Sequence, residues 1–145
     1  MNEIFMQKAL QIAQLSGNDI AVGAVIVKDN KIIAARHNEK EALNDVTAHA
    51  EILAIREAET LFSNWRLDGC DLYVTLEPCP MCMWAILQSR ISNVYFGSYD
   101  YVYGALSTLP QMIINSKSKL NIKGGIMEKE CNELLHNCFN EMRNK

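Results

Sequence analysis

Few prolines, no surplus of positive charge and no long apolar run already narrow what this 145-residue chain can be. The longest unbroken stretch of apolar residues and glycine, Ile20 to Val27, falls far short of the roughly 20 residues a bilayer span requires, so no membrane partner is expected. Lys and Arg number 14 against 17 Asp and Glu, a net charge of −3. A protein that coats nucleic acid through indiscriminate phosphate contact would be basic, so that class is disfavoured, while a small, shaped nucleic-acid target stays open. The opening residues Met1-Asn2-Glu3-Ile4-Phe5 lack a basic stretch followed by an apolar one, and a cytoplasmic location is expected. Five cysteines, an odd number without an export signal, fit a reduced compartment with metal-bound or buried thiols better than a disulfide framework. Repeats, linkers and low-complexity tracts are lacking as well. Hydrophobic content of 49% and charged content of 21% over this length give one globular domain spanning residues 1–145.

Periodicity supplies the elements. Met6, Ala9, Leu10 and Ala13 mark an opening amphipathic helix that stops at Gly17. Ile20 to Val27 and Lys31 to Arg36 read as strands joined through the turn pair Asp29-Asn30. Polar residues 37–46 read as a loop, and a helix is expected from about Thr47 to Thr60. A strand over Asp71 to Leu76, a short apolar helix over Pro80 to Gln88 and a strand over Asn93 to Gly97 follow. A loop with Tyr99, Tyr101 and Tyr103, a weak helix around Leu109 to Asn115 and a strand near Asn121 to Met127 come next. Cys131, Leu134, Leu135, Cys138, Phe139 and Met142 set the period of a last helix, whose cysteines read as core, as does Cys70. Alternating strands and helices imply a three-layer α/β/α fold. Its sheet is mixed, because a two-residue turn joins only antiparallel strands.

Two segments carry chemistry: Thr47-Ala48-His49-Ala50-Glu51 and Glu77-Pro78-Cys79-Pro80-Met81-Cys82. His49, Cys79 and Cys82 offer one imidazole nitrogen and two thiolates, a donor set suited to zinc. Pro80 favours a helix starting beside Cys79, and a helix N-terminus favours the thiolate form that metal binding needs. Residues two apart diverge inside a helix, but at its first turn side chains lean back over the end. With Thr47 or Asp45 as N-cap, His49 and Glu51 then share one site. Three protein ligands leave a fourth position for water, as in catalytic rather than structural zinc sites. Glu51, near the metal but not on it, takes a proton from that water and returns it to a leaving group. His-x-Glu followed by Pro-Cys-x-x-Cys is the signature of the zinc deaminases.

Beyond these segments, Val22 to Val27, Leu72 to Glu77, Ser89-Arg90-Ile91, Val94 to Gly97, Gly104-Ala105, Gly125-Ile126 and the helix from Cys131 to Arg143 resemble the bacterial tRNA-specific adenosine deaminases, within the cytidine deaminase-like superfamily. That resemblance implies a five-stranded sheet flanked by helices, a homodimer, one zinc per subunit, and conversion of the wobble adenosine in a tRNA anticodon loop to inosine. It makes His49, Cys79 and Cys82 the zinc ligands, Glu51 the proton shuttle and Asn38 a holder of the target nucleoside. The Ala50 backbone and the residues around Ile20, Leu76 and Pro78 would line the pocket, and Asp100 matches the family as well.

Departures concentrate around Asp100. Ala21 and Val46 stand where the family carries prolines, and the basic residues expected near Asp100 give way to Tyr99, Tyr101 and Tyr103. Tyrosines stack on splayed bases or pack against a partner subunit, and the sequence favours neither. His37 and His136 read as surface or supporting residues, and Met81, Met83 and Trp84 as packing for the short helix. Two rival functions stay open: a deaminase of free guanine or cytosine bases or nucleosides, and a non-catalytic zinc module with Cys70 as a fourth ligand.

Overall fold

A computed structural model describes residues 1–144. In chain order the elements are α1 (Glu3–Ala13), a 3₁₀ turn (Gln14–Ser16), β1 (Gly23–Lys28), β2 (Lys31–His37), α2 (Lys40–Leu43), α3 (Ala50–Phe62) and β3 (Asp71–Leu76). Then come α4 (Pro80–Ser89), β4 (Asn93–Ser98), α5 (Ala105–Thr108), α6 (Pro110–Asn115), β5 (Asn121–Lys123) and α7 (Glu128–Arg143). The five strands form one sheet in the order β2-β1-β3-β4-β5. β1 is antiparallel to both β2 and β3, whereas β3, β4 and β5 run parallel. The mixed five-stranded sheet is therefore as expected.

The period of two along each strand sorts the core into two layers. Ala24, Ile26, Leu72, Val74, Val94 and Phe96 face one side, where Ala50, Ala54, Ile55 and Ala58 of α3 and Ile86 of α4 cover them. Val25, Val27, Tyr73 and Tyr95 face the other, under Met6 and Ala9 of α1 and Cys131 of α7. Each Ile, Val or Phe so buried contributes about 1.5–3 kcal/mol. Helix α1 approaches β1 so closely that a Cβ on Gly23 would sit 2.0 Å from the Ala9 carbonyl oxygen. Only glycine fits there.

Several boundaries differ from the sequence reading. β1 starts at Gly23 rather than Ile20, leaving 20–22 as an irregular segment. β5 stops at Lys123 rather than near Met127, and Gly125 beyond it takes φ +82°, outside strand geometry. Helices α2 and α5 interrupt stretches read as loops. In α4, Met83 packs into the core as expected, but Met81 and Trp84 stay exposed, on the side of the helix turned away from the buried Cys82, Met83, Ile86 and Leu87.

Candidate active site

Strand direction decides where the chemistry gathers. β3 and β4 end together, Leu76 pairing with Ser98. β1 runs the other way, so its start at Gly23 and the end of β2 at His37 lie at the same edge. The segments before β1 and after β2, and the turns after β3 and β4, therefore converge. The Asp29-Asn30 turn lies at the opposite edge.

Helices α3 and α4 both begin at this convergence. The N-cap of α3 is His49 itself, in extended conformation, and that of α4 is Cys79, followed by Pro80. This corrects the expected cap at Thr47 or Asp45. Asp45 instead tightens the preceding turn, its Oδ1 accepting from the Thr47 amide (2.9 Å) and hydroxyl (2.7 Å). The free amide of Ala50 donates to Asn38 Oδ1 at 2.8 Å, while Asn38 Nδ2 donates to the Ile20 carbonyl at 3.1 Å. Asn38 thus caps α3 from a distant strand end and ties it to the segment before β1.

The two helix starts bring three donors together. His49 Nδ1 lies 3.7 Å from Cys79 Sγ and 3.4 Å from Cys82 Sγ, and all three atoms fall within 4.8 Å of one another. Nitrogen and sulfur at zinc bonding distances on a tetrahedral ion stand about 3.6 Å apart, so donor chemistry and spacing both fit zinc. Among the described residues no other group of His, Cys and carboxylates gathers this way. Cys70 is buried just before β3, a strand length of about 20 Å from this edge.

The ionisation pattern follows from contact. Hydrogen bonds from Cys82 and then His49 hold the Cys79 thiol down at about 4, while Cys82, keeping the shared proton and deeply buried, is pushed up. The bond to Cys79 raises His49. Glu51 is 4% exposed, and burial, with the neighbouring Cys79 charge, lifts its carboxyl to about 7. A carboxyl poised there can take and give a proton at neutral pH.

A cavity of about 510 Å³ opens over these groups, with His49, Glu51 and Cys79 on its wall. Ile20, Asn38, Leu76 and Asp100 of the expected contact residues also line it. Ala50 and Pro78 do not: Ala50 is fully buried with its amide taken by Asn38, and the Pro78 carbonyl accepts from the Ala105 amide at 2.9 Å.

Asp19 and Met142, also on the wall, carried no site signal in the sequence, whereas Tyr103 stood out there as a stacking or interface ring. Asp19 is buried and accepts from the Glu41 amide with both oxygens (3.1 and 3.2 Å). Met142 reaches the cavity from the end of α7, and Tyr103 from the loop after β4. Glu77 holds that loop, its Oε1 accepting from the Asp100 amide (3.0 Å) and its Oε2 from the Leu106 amide (3.1 Å). A Cβ on Gly104 would lie 2.0 Å from Glu77 Oε2, so the glycine is needed for this approach. The position of Glu77 beside Pro78-Cys79 was the one available clue to it.

Residues 1–98 match the family described as the cytidine and deoxycytidylate deaminase zinc-binding region. Fold and donor set thus define a zinc-dependent deaminase, a hydrolase. Over 148 residues the chain is 38% identical to the tRNA-specific adenosine deaminase of Bacillus subtilis (strain 168), covering 99% of this chain and 92% of that protein. The corresponding protein of Aquifex aeolicus (strain VF5) is 39% identical over 98% and 96%. A solved structure from work on A-to-I editing by tRNA:A34 deaminases superposes with a TM-score of 0.87, at 39% identity over 92% of this chain and 99% of that one. The guanine deaminase of Bacillus subtilis shares 43% identity over 68% of this chain and 66% of that one, with a TM-score of 0.66. The chain belongs to the tRNA-specific adenosine deaminase family.

Proposed function

We propose that residues 1–145 act as one deaminase domain that converts the wobble adenosine of a tRNA anticodon to inosine and releases ammonia. Likeness over nearly the full length to two tRNA-specific adenosine deaminases carries this reading. His49, Cys79 and Cys82 would hold one zinc per protomer, and zinc there supplies Lewis-acid activation of water at neutral pH. Glu51 accepts a proton from the water attacking C6 and delivers it to N1 of the purine. The second proton of that water, now on the C6 hydroxyl, passes through the same carboxylate to the amine. The C6–N6 bond then breaks, ammonia leaves and inosine keeps the N1 proton. Asn38, Ile20, Leu76 and Asp100, which line the cavity, position the nucleoside, and Pro78 and the Ala50 backbone support that wall from behind.

A homodimer fits the exposed apolar surface of α4, where Met81 and Trp84 are 38% and 46% exposed. Activity on tRNA supports a cytoplasmic setting, and among the described residues no helix is long and apolar enough to cross a membrane. The test pairs Glu51→Ala with the wild-type chain on an anticodon stem-loop. Zinc content should hold while inosine formation collapses, and retained turnover removes Glu51 from the mechanism.

A second reading, deamination of a free base such as guanine, draws on the likeness to the Bacillus guanine deaminase and on the net charge of −3. Incubation with free bases decides it. Rapid ammonia release from a base, with no inosine in the stem-loop, reverses the order.

A further inference from the structure

The loop between β4 and α5 displays more aromatic surface than any packing role uses. Tyr101 and Tyr103 are 77% and 70% exposed, beside a cavity whose wall includes Tyr103. Their display is rooted in the core. Phe96, fully buried in β4, meets Tyr99 edge to face at 5.0 Å, and Tyr99 lies parallel to Tyr101 at 6.0 Å and 7°. The exposure of Tyr101 leaves the far side of this ladder to solvent.

The loop is also held in place. Asp100 Oδ1 accepts from the Val102 amide (3.1 Å) and the Tyr103 amide (2.9 Å), and the Gly104 amide donates to the Asp100 carbonyl at 2.8 Å. Glu77 anchors both ends from beneath, through the Asp100 and Leu106 amides. A backbone fixed in this way, with Tyr101 already stacked on Tyr99, loses little further freedom when something stacks on the rings.

Charge excludes the usual alternative for gripping a nucleic acid. From Ile91 through Ser116 the chain carries no Lys, Arg or His, and Asp100 is its one acidic residue. Attraction for a strand by this loop cannot come from cationic side chains of its own, the one lysine on the cavity wall being Lys40 from α2. It must come from ring faces, which every base can use.

We propose that Tyr101 and Tyr103 form a stacking platform for the unpaired nucleotides flanking the adenosine that enters the cavity. The proposal rests on the anticodon reading above and adds to it how this chain grips the loop. A protein partner fits the same rings less well, because Tyr103 shares its wall with Glu51 and a surface laid over it would shut the cavity mouth.

The test uses the full-length, zinc-loaded chain and a synthetic anticodon stem-loop with adenosine at the wobble position. Tyr101→Ala and Tyr103→Ala are compared with Tyr101→Phe and Tyr103→Phe, and these exposed rings can be removed without opening the core. Each alanine should raise KM by about 5- to 150-fold, the range measured for loss of one base–aromatic stack, with the loss falling on KM rather than kcat. Each phenylalanine should restore the wild-type value. 2-Aminopurine placed beside the target should be quenched on binding to the wild type and not to the alanine variants. Equal KM for wild type and alanine variants overturns the platform and leaves the anticodon reading intact. A shift of the alanine variants from dimer to monomer in sedimentation, with no change in quenching, makes the loop a subunit contact and overturns it too. Wild type that forms no inosine in the stem-loop sinks both proposals.

Discussion

Replacing Glu77 with Gln keeps the size of the side chain and changes one oxygen to an amide nitrogen. In the native protein both oxygens are taken, one by the Asp100 amide at 3.0 Å and one by the Leu106 amide at 3.1 Å, and the side chain is 2% exposed. The glutamine can satisfy only one of these donors, and its NH₂ faces the other. A hydrogen bond to a charged group is worth about 1.5–3 kcal/mol, and a buried donor left unpaired costs a similar amount, so a net loss of about 2–3 kcal/mol is expected. For a chain of this size that corresponds to a fall of about 4–12 °C in Tm. Thermal unfolding of the zinc-loaded protein measures it, and hydrogen exchange at the Asp100 and Leu106 amides locates it. Faster exchange should be confined to the stretch from Tyr99 to Leu106. A Tm within about 1 °C of wild type, with unchanged exchange at both amides, would refute the idea that this carboxylate anchors the loop.

Asn38→Ala removes the acceptor that caps the Ala50 amide, and should cost about 1 kcal/mol in denaturant unfolding; unchanged stability would mean that water serves equally well. Cys70→Ala should leave zinc content at one per chain, because Cys70 lies at the other edge of the sheet. Metal analysis showing a loss would restore it as a ligand. In chelator-stripped protein, Glu51 titrates near 7 because of its burial, against 4.5 for an unperturbed carboxyl. The folded form therefore holds this proton more tightly than the unfolded form, and the Glu51 contribution makes stability fall as pH rises from 4.5 to about 7, then level off. Glu51→Gln should remove that slope from the pH dependence of Tm, and an identical profile would contradict it.

Much of the architecture was legible because the signals are local. Alternation in Ala24 to Val27 and Leu72 to Val74 separates the two core layers directly. His49, Glu51, Cys79 and Cys82 announce themselves by spacing. What escaped detection depends on residues far apart in the chain. Asp45 and Thr47 are good capping residues, so the sequence places the helix start beside them. The α3 amide is instead capped by Asn38, twelve positions from Ala50. Glu77 binds amides 23 and 29 residues further on, a role no periodicity encodes. The early end of β5 likewise coincides with a contact between distant residues, Gly124 lying where a Cβ would strike the Phe96 ring.

The turn between β1 and β2 has a practical side. Asp29 and Asn30 both take positive φ (50° and 63°), which closes the hairpin in two residues, and they do so at the edge of the sheet facing away from the cavity. A guest peptide, a fluorescent reporter or a tether grafted at that tip would hang on the far side of the molecule from the incoming nucleobase. It would also leave both chain termini untouched, one of them held through the Asn2 amide on the Tyr73 hydroxyl.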